Sequence, residues 1–386
     1  MVNKVFILAP DLSGGGGTRA YLLGQVLQQL NYDVKVGGFV FGQSLYPVPP
    51  ATLPVHWVRG CNYPQILHSA QNLLKEIEAD IIYAIKPRPT SFGLALFKRL
   101  QTHQPIILDI DDWELSWFGA GQWKYHPTIK QLARDLLKPS GALRFPDHWL
   151  YLRWIEKLIN RANAVTVDTQ FLKHRFGGIY LPNGKDTRLF DPQRFDPEIS
   201  RAKYGLSSYR VLMFPGTARP HKGIEDVLLA LDQLNQSDLR LVLVGGRDIG
   251  DGYIEHLMEN GKRWIIKLPS TPVDQMPEIV AAAHLVVVPQ RDTITAHAQF
   301  PIKLTDGMAM GKPILSTRVG DIPEILADTG YLVDASSPEQ IADKIRWIFQ
   351  NYQEAIERGK QARKRCMECY SIEKMADILS EVISQL

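Results

Sequence analysis

The chain has 386 residues, 45% of them hydrophobic and 22% charged, with a formal net charge of +3. That length is too great for one ordinary core and suits two domains. The composition is that of a globular protein, and the charge is too near balance to argue for nucleic acid. Three cysteines, Cys61, Cys366 and Cys369, cannot build a disulfide framework, which favours a reducing compartment. The C-x-x-C of the last two has no second pair to complete a zinc site and reads as two small residues on a C-terminal helix. No run reaches the ~18–20 apolar residues of a membrane span. The chain enters a short strand directly, without the apolar region and cleavage site of a signal peptide, so a cytoplasmic location is expected.

In chain order, residues 5–9 form a continuous apolar run of buried parallel-strand type. Four glycines, Gly14 to Gly17, follow with Thr18, and a helical pattern runs over 20–30. Strand, glycine loop and helix open a βαβ unit, in which glycines let backbone approach a ligand at a helix N-terminus. The loop is neither a dinucleotide fingerprint nor a Walker loop; a phosphate loop and a plain turn both stay open. Strands are expected at 32–40, 55–58, 80–85, 105–110 and 164–167, with helices at 67–78 and 91–100. This alternation predicts an open, doubly wound parallel sheet, whose ligands bind beyond the carboxyl ends of the strands. Lys86, Arg88, Asp111 and Asp112 sit at such ends. Asp109, Asp111 and Asp112 put three carboxylates into four positions, which is costly without a ligand, cation or arginine beside them. A solvated turn with a helix cap is the plain alternative.

Residues 113–154 hold five of the eight tryptophans, Trp113, Trp117, Trp123, Trp149 and Trp154, with Lys124, Lys130, Arg134, Lys138, Arg144 and Arg153 among them. Three readings stand: helices packed on the domain, an aromatic-lined acceptor cleft, or peripheral contact with a membrane face, where aromatic and basic side chains are favoured.

Residues 189–208, rich in Pro, Asp and Arg, read as a linker with one short helix. The α/β pattern then restarts, with strands at 211–214, 239–244, 264–268, 285–288, 313–316 and 330–333. Helices are expected between them at 224–234 and 273–283, and close the chain at 338–352, 354–369 and 375–386. A loop spans 216–223, and Gly245-Gly246 ends the strand at 239–244. The expected domains are 1–188, joined by a returning C-terminal helix at 373–386, and 209–372, with a ligand cleft between them.

The stretch 299–313 carries the clearest site. Phe300-Pro301 reads as a turn, and 302–310 as a short helix stopped by Gly311 and Pro313. Its N-terminus opens at the end of a parallel strand, where free N–H groups and a partial positive charge favour an anion. Lys303 adds a full charge in the first turn. Asp306 follows one turn later on the same face, placed to accept hydrogen bonds from sugar hydroxyls. A nucleotide-sugar offers both a diphosphate and a ribose.

In order and spacing, several motifs resemble the large group 1 family of retaining glycosyltransferases of the two-Rossmann-domain (GT-B) type, which includes sucrose-phosphate synthases and bacterial mannosyl- and glucosyltransferases. The segment Leu181-Pro182-Asn183-Gly184-Lys185-Asp186-Thr187 resembles the family's P-N-G-V-D. Phe214-Pro215-Gly216 with Lys222-Gly223 resembles its G-R-L…K-G loop, and Pro301 to Pro313 a P-x-K-x-x-E-x-M-A-x-G-x-P variant. Gly320, Pro323, Glu324 and Gly330-Tyr331-Leu332-Val333 match the segments after it. The resemblance covers essentially the whole chain and is strongest from residue 181 onward.

The resemblance implies an α/β fold of two Rossmann-like domains facing across a cleft, with the acceptor on the N-terminal side and the donor on the C-terminal side. Lys222 matches the lysine that holds the donor diphosphate, whose negative charge grows as it leaves. Thr217 replaces the family's arginine, with Arg219 two residues on as a substitute. Asp306 takes the place of the glutamate that binds ribose. Gly216, Thr217, Gly245, Phe300, Pro301, Ile302 and Lys303 complete the donor side. Gly15, Gly16, Gly17 and Thr18 match the loop near the phosphates and acceptor, and Lys86, Arg88 and Trp113 fall on the acceptor side. Asp111 and Asp112 stand where the family often has a histidine, and join Lys222 and Arg219 as catalytic candidates. The first glutamate of the usual E-x7-E falls at Ala298, leaving Asp292 or His297 to take its part.

The implied reaction is transfer of a hexose from a nucleotide-diphosphate sugar, UDP- or GDP-linked, to a hydroxyl of a carbohydrate or lipid acceptor, with retention. No cofactor or metal is expected, because lysine, arginine and backbone amides supply the positive field; Asp109-Ile110-Asp111 spells D-x-D by letter only. An epimerase or phosphorylase on the same fold, or a nucleotide-sugar-binding pseudo-enzyme, are the alternatives. No nucleic-acid partner is expected, and peripheral attachment at the inner membrane face stays open.

Overall fold

The computed structural model describes residues 3–119, 125–245 and 252–386. The chain forms two compact units, Met1–Asn183 with Met375–Leu386, and Gly184–Lys374. Residues 189–208, read above as a linker, lie within the second unit, where Phe190 and Leu206 are part of the core.

Among the described residues the first unit holds a seven-stranded parallel sheet in the order β3-β2-β1-β4-β5-β6-β7. Its strands are β1 (Lys4–Ala9), β2 (Asp33–Val40), β3 (Val55–Arg59), β4 (Ile81–Ile85), β5 (Ile106–Ile110), β6 (Ala164–Val167) and β7 (Ile179–Tyr180). Every residue of β4 and β5 is buried, which is why β4 reads as an unbroken apolar run and β5 as one interrupted only by Asp109, rather than as alternating strands. The chain steps outward from β1 to β2 and β3, then crosses back to β4. The crevice where the order reverses lies between β1 and β4, the place such sheets bind ligands.

The glycine stretch is divided: Gly14 and Gly15 form a turn ahead of the first helix, as expected, while Gly16 and Gly17 belong to its first turn. The helix spans Gly16–Gln29, and Gly16 and Gly17 are buried. A Cβ on Gly16 would lie 2.8 Å from the Asp11 carbonyl oxygen, so close approach of backbone demands glycine there. Helices Gln170–Phe176, Tyr253–Asn260 and Ile322–Leu326 were not anticipated by the sequence reading, whereas Ile129–Leu137 and Trp149–Glu156 fall in the segment for which helices were one reading, without bounds. Trp123, Lys124 and Gly246 lie outside the described residues.

In the second unit a six-stranded parallel sheet runs in the order β10-β9-β8-β11-β12-β13 among the described residues. Its strands are β8 (Arg210–Phe214), β9 (Leu239–Val244), β10 (Ile265–Leu268), β11 (Leu285–Val288), β12 (Ile314–Thr317) and β13 (Tyr331–Val333). Successive residues feed opposite cores: Val211 and Met213 of β8 enter one, Leu212 and Phe214 the other. The helix Ile302–Ala309 lies in the first of these, held by fully buried Leu304 and Met308, each contributing about 1.5–3 kcal/mol. Here the order reverses between β8 and β11.

Cys366 is buried on the helix Tyr352–Cys369. The last helix, Ile372–Ser384, runs into the segment that completes the first unit, with Leu379 and Val382 fully buried. Among the described residues no helix is long and apolar enough to cross a membrane.

Candidate functional site

In the second unit, β8 ends at Phe214, and the chain turns through Gly216 into the short turn Pro220–Lys222, ahead of the helix Ile224–Leu234. Lys222 is buried, and its Nζ donates to Gln299 Oε1 at 3.1 Å. Gln299 stands just before the helix Ile302–Ala309, whose N-cap, Pro301, supplies no side-chain acceptor. Lys303, in the first turn of that helix, sets its Nζ 5.5 Å from the centroid of the Phe214 ring. Gly216 makes room for it: its φ is 154°, and a Cβ there would lie 2.4 Å from Lys303 Cε. Gly216→Ala is therefore expected to displace the Lys303 ammonium and weaken nucleoside-diphosphate binding about tenfold, read by calorimetry, and to lower the melting temperature through backbone strain at that φ.

The charges of this site act on one another. Burial holds the Lys303 ammonium below its ordinary value; Asp306 opposes that, while Lys185 and Arg219 add to it. Burial and then Lys222 push His221 down to about 3, with Lys303 and Arg219 adding and a hydrogen bond to Gln299 opposing. His221 thus stays neutral near pH 7. Lys222, Lys303 and Arg219 all act on His221, Lys185 and Arg219 act on Lys303, and Asp306 is the counter-charge on Lys303. Such a field favours an anion of more than one charge.

Asp306 is itself engaged: Lys185 Nζ is ion-paired with its Oδ1. The same ammonium lies 4.5 Å from the Phe190 ring centroid. Its backbone is fixed on both sides, the Lys185 N–H donating to the Tyr370 carbonyl (2.7 Å) and its own carbonyl accepting from the Ile372 N–H (3.1 Å). The sequence reading passed over Lys185. The signal was its place in Pro182-Asn183-Gly184-Lys185-Asp186, where the resembled motif has an apolar residue, paired with an acid one methylene shorter at 306. Without Lys185, Asp306 is free to turn onto Lys303, its i−3 neighbour. Lys185→Met is expected to weaken nucleoside-diphosphate binding by about tenfold, and Lys185→Arg to restore most of it.

Other expected donor-side residues fall around this centre. Thr217 is half-buried in the Gly216 loop, and Ile302 half-buried at the helix start. Phe300 is buried against Tyr370, with ring centroids 6.1 Å apart. Gly245 ends β9, the neighbour of β8, in a left-handed turn at φ 72°. Ala298 is fully buried. The two candidates for the missing glutamate are paired with each other, His297 Nε2 lying 2.6 Å from Asp292 Oδ1.

The first unit carries a second charged cluster, at the ends of β4 and β5. Lys86 ends β4 in the left-handed region at φ 65°, a strain of about 1–2 kcal/mol. Its N–H donates to the Asp109 carbonyl at 2.7 Å. The turn folds its ammonium onto Glu114 Oε1 (3.0 Å), Asp111 Oδ1 (3.5 Å) and Asp112 Oδ2 (3.6 Å). Arg88 bridges Glu114 and Asp147, the latter at 2.7 Å. Burial pushes the Asp111 carboxyl up against the opposing pull of Lys86, and Asp147 up against that of Arg88. Burial would raise Glu114 too, but Arg88 and Lys86 outweigh it and bring it to about 2.

Behind this cluster Arg19 forks onto Asp109, with Nε to Oδ2 and Nη2 to Oδ1 both at 2.9 Å. Its remaining donors reach Asn183 Oδ1 (3.2 Å) and the Leu181 carbonyl (2.8 Å). The three carboxylates are thus answered by Arg19 and Lys86 rather than by solvent, which overturns the solvated-turn alternative. Arg19, directly after the glycines and Thr18, was also missed. Gly15 and Thr18 are exposed, Gly16 and Gly17 buried. Trp113 is buried, its Nε1 donating to Glu156 at 3.1 Å and its ring covered by Arg175 at 3.7 Å. Trp149 is buried as well, whereas Trp117 and Trp154 are exposed.

Comparison with known proteins bears on the family and the fold. Residues 209–351 match the family model for Glycosyl transferases group 1. The chain is 27% identical over 229 residues to a D-inositol 3-phosphate glycosyltransferase of Corynebacterium glutamicum, covering 54% of each chain; it thus spans about half the length of that relative. It is 24% identical over 306 residues to a GDP-mannose-dependent alpha-(1-6)-phosphatidylinositol monomannoside mannosyltransferase of Mycolicibacterium smegmatis, covering 71% of this chain and 77% of the other. Its fold is similar to that of Anabaena HepE in complex with UDP-glucose, with a TM-score of 0.75 at 18% identity over the whole of both chains. The resemblance to group 1 glycosyltransferases, and the two-Rossmann-domain fold it implies, are borne out.

Proposed function

We propose that this chain, whose donor-side residues lie within the group 1 glycosyltransferase match, moves a hexose from a nucleotide-diphosphate sugar to a hydroxyl acceptor with retention. The observation that carries this reading is the convergence of Lys222, Arg219 and Lys303 at the strand-order reversal beside a helix N-terminus. The bond from the anomeric carbon to the diphosphate breaks as the bond to the acceptor oxygen forms. Charge grows on the departing diphosphate, which the three cations and the free amides of the helix Ile302–Ala309 stabilise more in the transition state than before it. With retention, the acceptor approaches the face the diphosphate leaves, so a diphosphate oxygen is the base nearest the hydroxyl proton. Neutral His221 leaves the cationic field to lysine and arginine. Asp306, fixed by Lys185, presents its carboxylate to the ribose hydroxyls.

The acceptor side falls to the Lys86–Asp111–Asp112–Arg88 cluster, whose carboxyl groups accept from, or donate to, acceptor hydroxyls. A carbohydrate or lipid-linked acceptor suits such a polyol-binding set. Transfer is expected to persist in excess chelator, which full loss of activity on adding EDTA would contradict.

A binding protein without turnover is the second reading, favoured by buried Ala298 in place of a glutamate and by the Asp292–His297 pair. A thermal-shift screen of UDP-, GDP- and ADP-sugars identifies the donor, because a ligand at about 100 times its Kd stabilises the native state by ~2.7 kcal/mol. Release of nucleoside diphosphate from that donor in the presence of acceptor supports transfer. Binding without release for any acceptor supports the second reading.

A further inference from the structure

The helix Ile129–Leu137 is amphipathic with its apolar face outward. Ile129, Leu132, Ala133 and Leu136 recur at i, i+3, i+4 and i+7, with Leu137 beside them, and so form one face. On a helix packed against a domain this face turns inward. Here Ile129 is 90% exposed, Leu137 78%, Leu136 52% and Leu132 38%. Asp135, by contrast, is buried: it accepts from the Tyr125 hydroxyl at 2.8 Å and from Arg134 at 3.0 and 3.1 Å. A polar side chain thus ties the helix to Tyr125, whose ring packs on His148 at 5.3 Å, and the oil-like side of the helix is left to the surroundings. The turn Ala142–Arg144 packs beside it, and Phe145, next in the chain, is 46% exposed.

The charges of the segment 125–154 have one outward sign. Lys130 and Lys138 are exposed. The acids of residues 125–154, Asp135 and Asp147, both turn inward, to Tyr125 and Arg134 and to Arg88. A protein partner needs particular acids opposite particular lysines. A bilayer rich in anionic lipid meets a cationic rim with diffuse charge and an apolar ridge one side chain deep with acyl chains.

We infer that this face docks on an anionic lipid bilayer, with Ile129, Leu136 and Leu137 inserted below the headgroups and Lys130 and Lys138 at phosphate level. The surface is read without donor or acceptor, so it stands or falls apart from the transfer reading. The test is co-sedimentation of the full chain with phosphatidylcholine vesicles, neat or with about one-third phosphatidylglycerol. Wild type is expected to favour the anionic vesicles by about tenfold or more, less so at about 0.5 M salt. Ile129→Ser/Leu136→Ser/Leu137→Ser should lower that binding about tenfold or more, with helix content and melting unchanged because these side chains are exposed. Lys130→Glu/Lys138→Glu should remove the preference for anionic vesicles. Equal binding by wild type and the triple-serine variant overturns the inference. So does absence of binding, equal binding to both vesicle types, or a dimer in gel filtration that the serine substitutions abolish.

Discussion

Lys222→Ala is expected to lower kcat/KM for transfer by about 10²–10³-fold, the usual cost of removing one preorganised donor from developing negative charge. The fold should survive. The substitution removes one charge-assisted hydrogen bond to Gln299, and it takes away one of the cations acting on buried His221. Melting temperature is therefore expected to move by no more than a few degrees. A second readout separates lost chemistry from misfolding. His221 is held at about 3 by burial first and by Lys222 next, so its titration, followed by NMR, should rise in the variant while still lying below the ordinary histidine range. Near-full transfer activity in Lys222→Ala would sink the assignment of the donor site.

Lys86→Met should show the largest loss of stability, about 3–5 kcal/mol near pH 7.5, because it leaves buried carboxylates without their nearest cation. For a unit of this size that is roughly 10 °C or more in melting temperature. The pH dependence is specific. Asp111 already lies above the ordinary carboxylate value through burial, with Lys86 opposing, and losing Lys86 raises it further. A carboxyl group raised in the folded state gives stability that is full below its unfolded value and is lost as pH rises through the folded one. In wild type Glu114, lowered to about 2, behaves oppositely: its contribution is present above the ordinary value and fades as pH falls toward about 2. The gap between variant and wild type should therefore narrow as pH is lowered from about 8 to 4.5. A gap that stays constant across that range in denaturant titrations would refute the coupling.

Much of the fold was legible in the sequence because both faces of each sheet are covered. Runs such as Leu285–Val288 and Ile81–Ile85 are apolar throughout, and their order fixes the parallel architecture. What escaped was decided by contacts between distant segments. Two of the glycines read as a loop, Gly16 and Gly17, belong to the first helix turn, where Gly16 lies against the Asp11 carbonyl. In the segment 113–154, helices were one reading, but the bounds of Ile129–Leu137 and the outward turn of its apolar face were not foreseen. In the donor site Lys222, Lys303 and Asp306 stood out by their place among ordered motifs. Lys185 and Arg19 did not, since their partners Asp306 and Asp109 lie 121 and 90 residues away and meet them only in the folded chain.

The makeup of the first unit has a consequence for the order of events during synthesis. Met375–Leu386 complete that unit, yet they leave the ribosome after the whole of Gly184–Lys374. The usual sequence, N-terminal domain first, is thus reversed in its last step. The second unit has all its strands and helices available while the first still lacks Leu379 and Val382, both fully buried in the finished molecule. Until then the nascent first unit carries an open apolar seat, and it is in that interval that chaperones have most to cover.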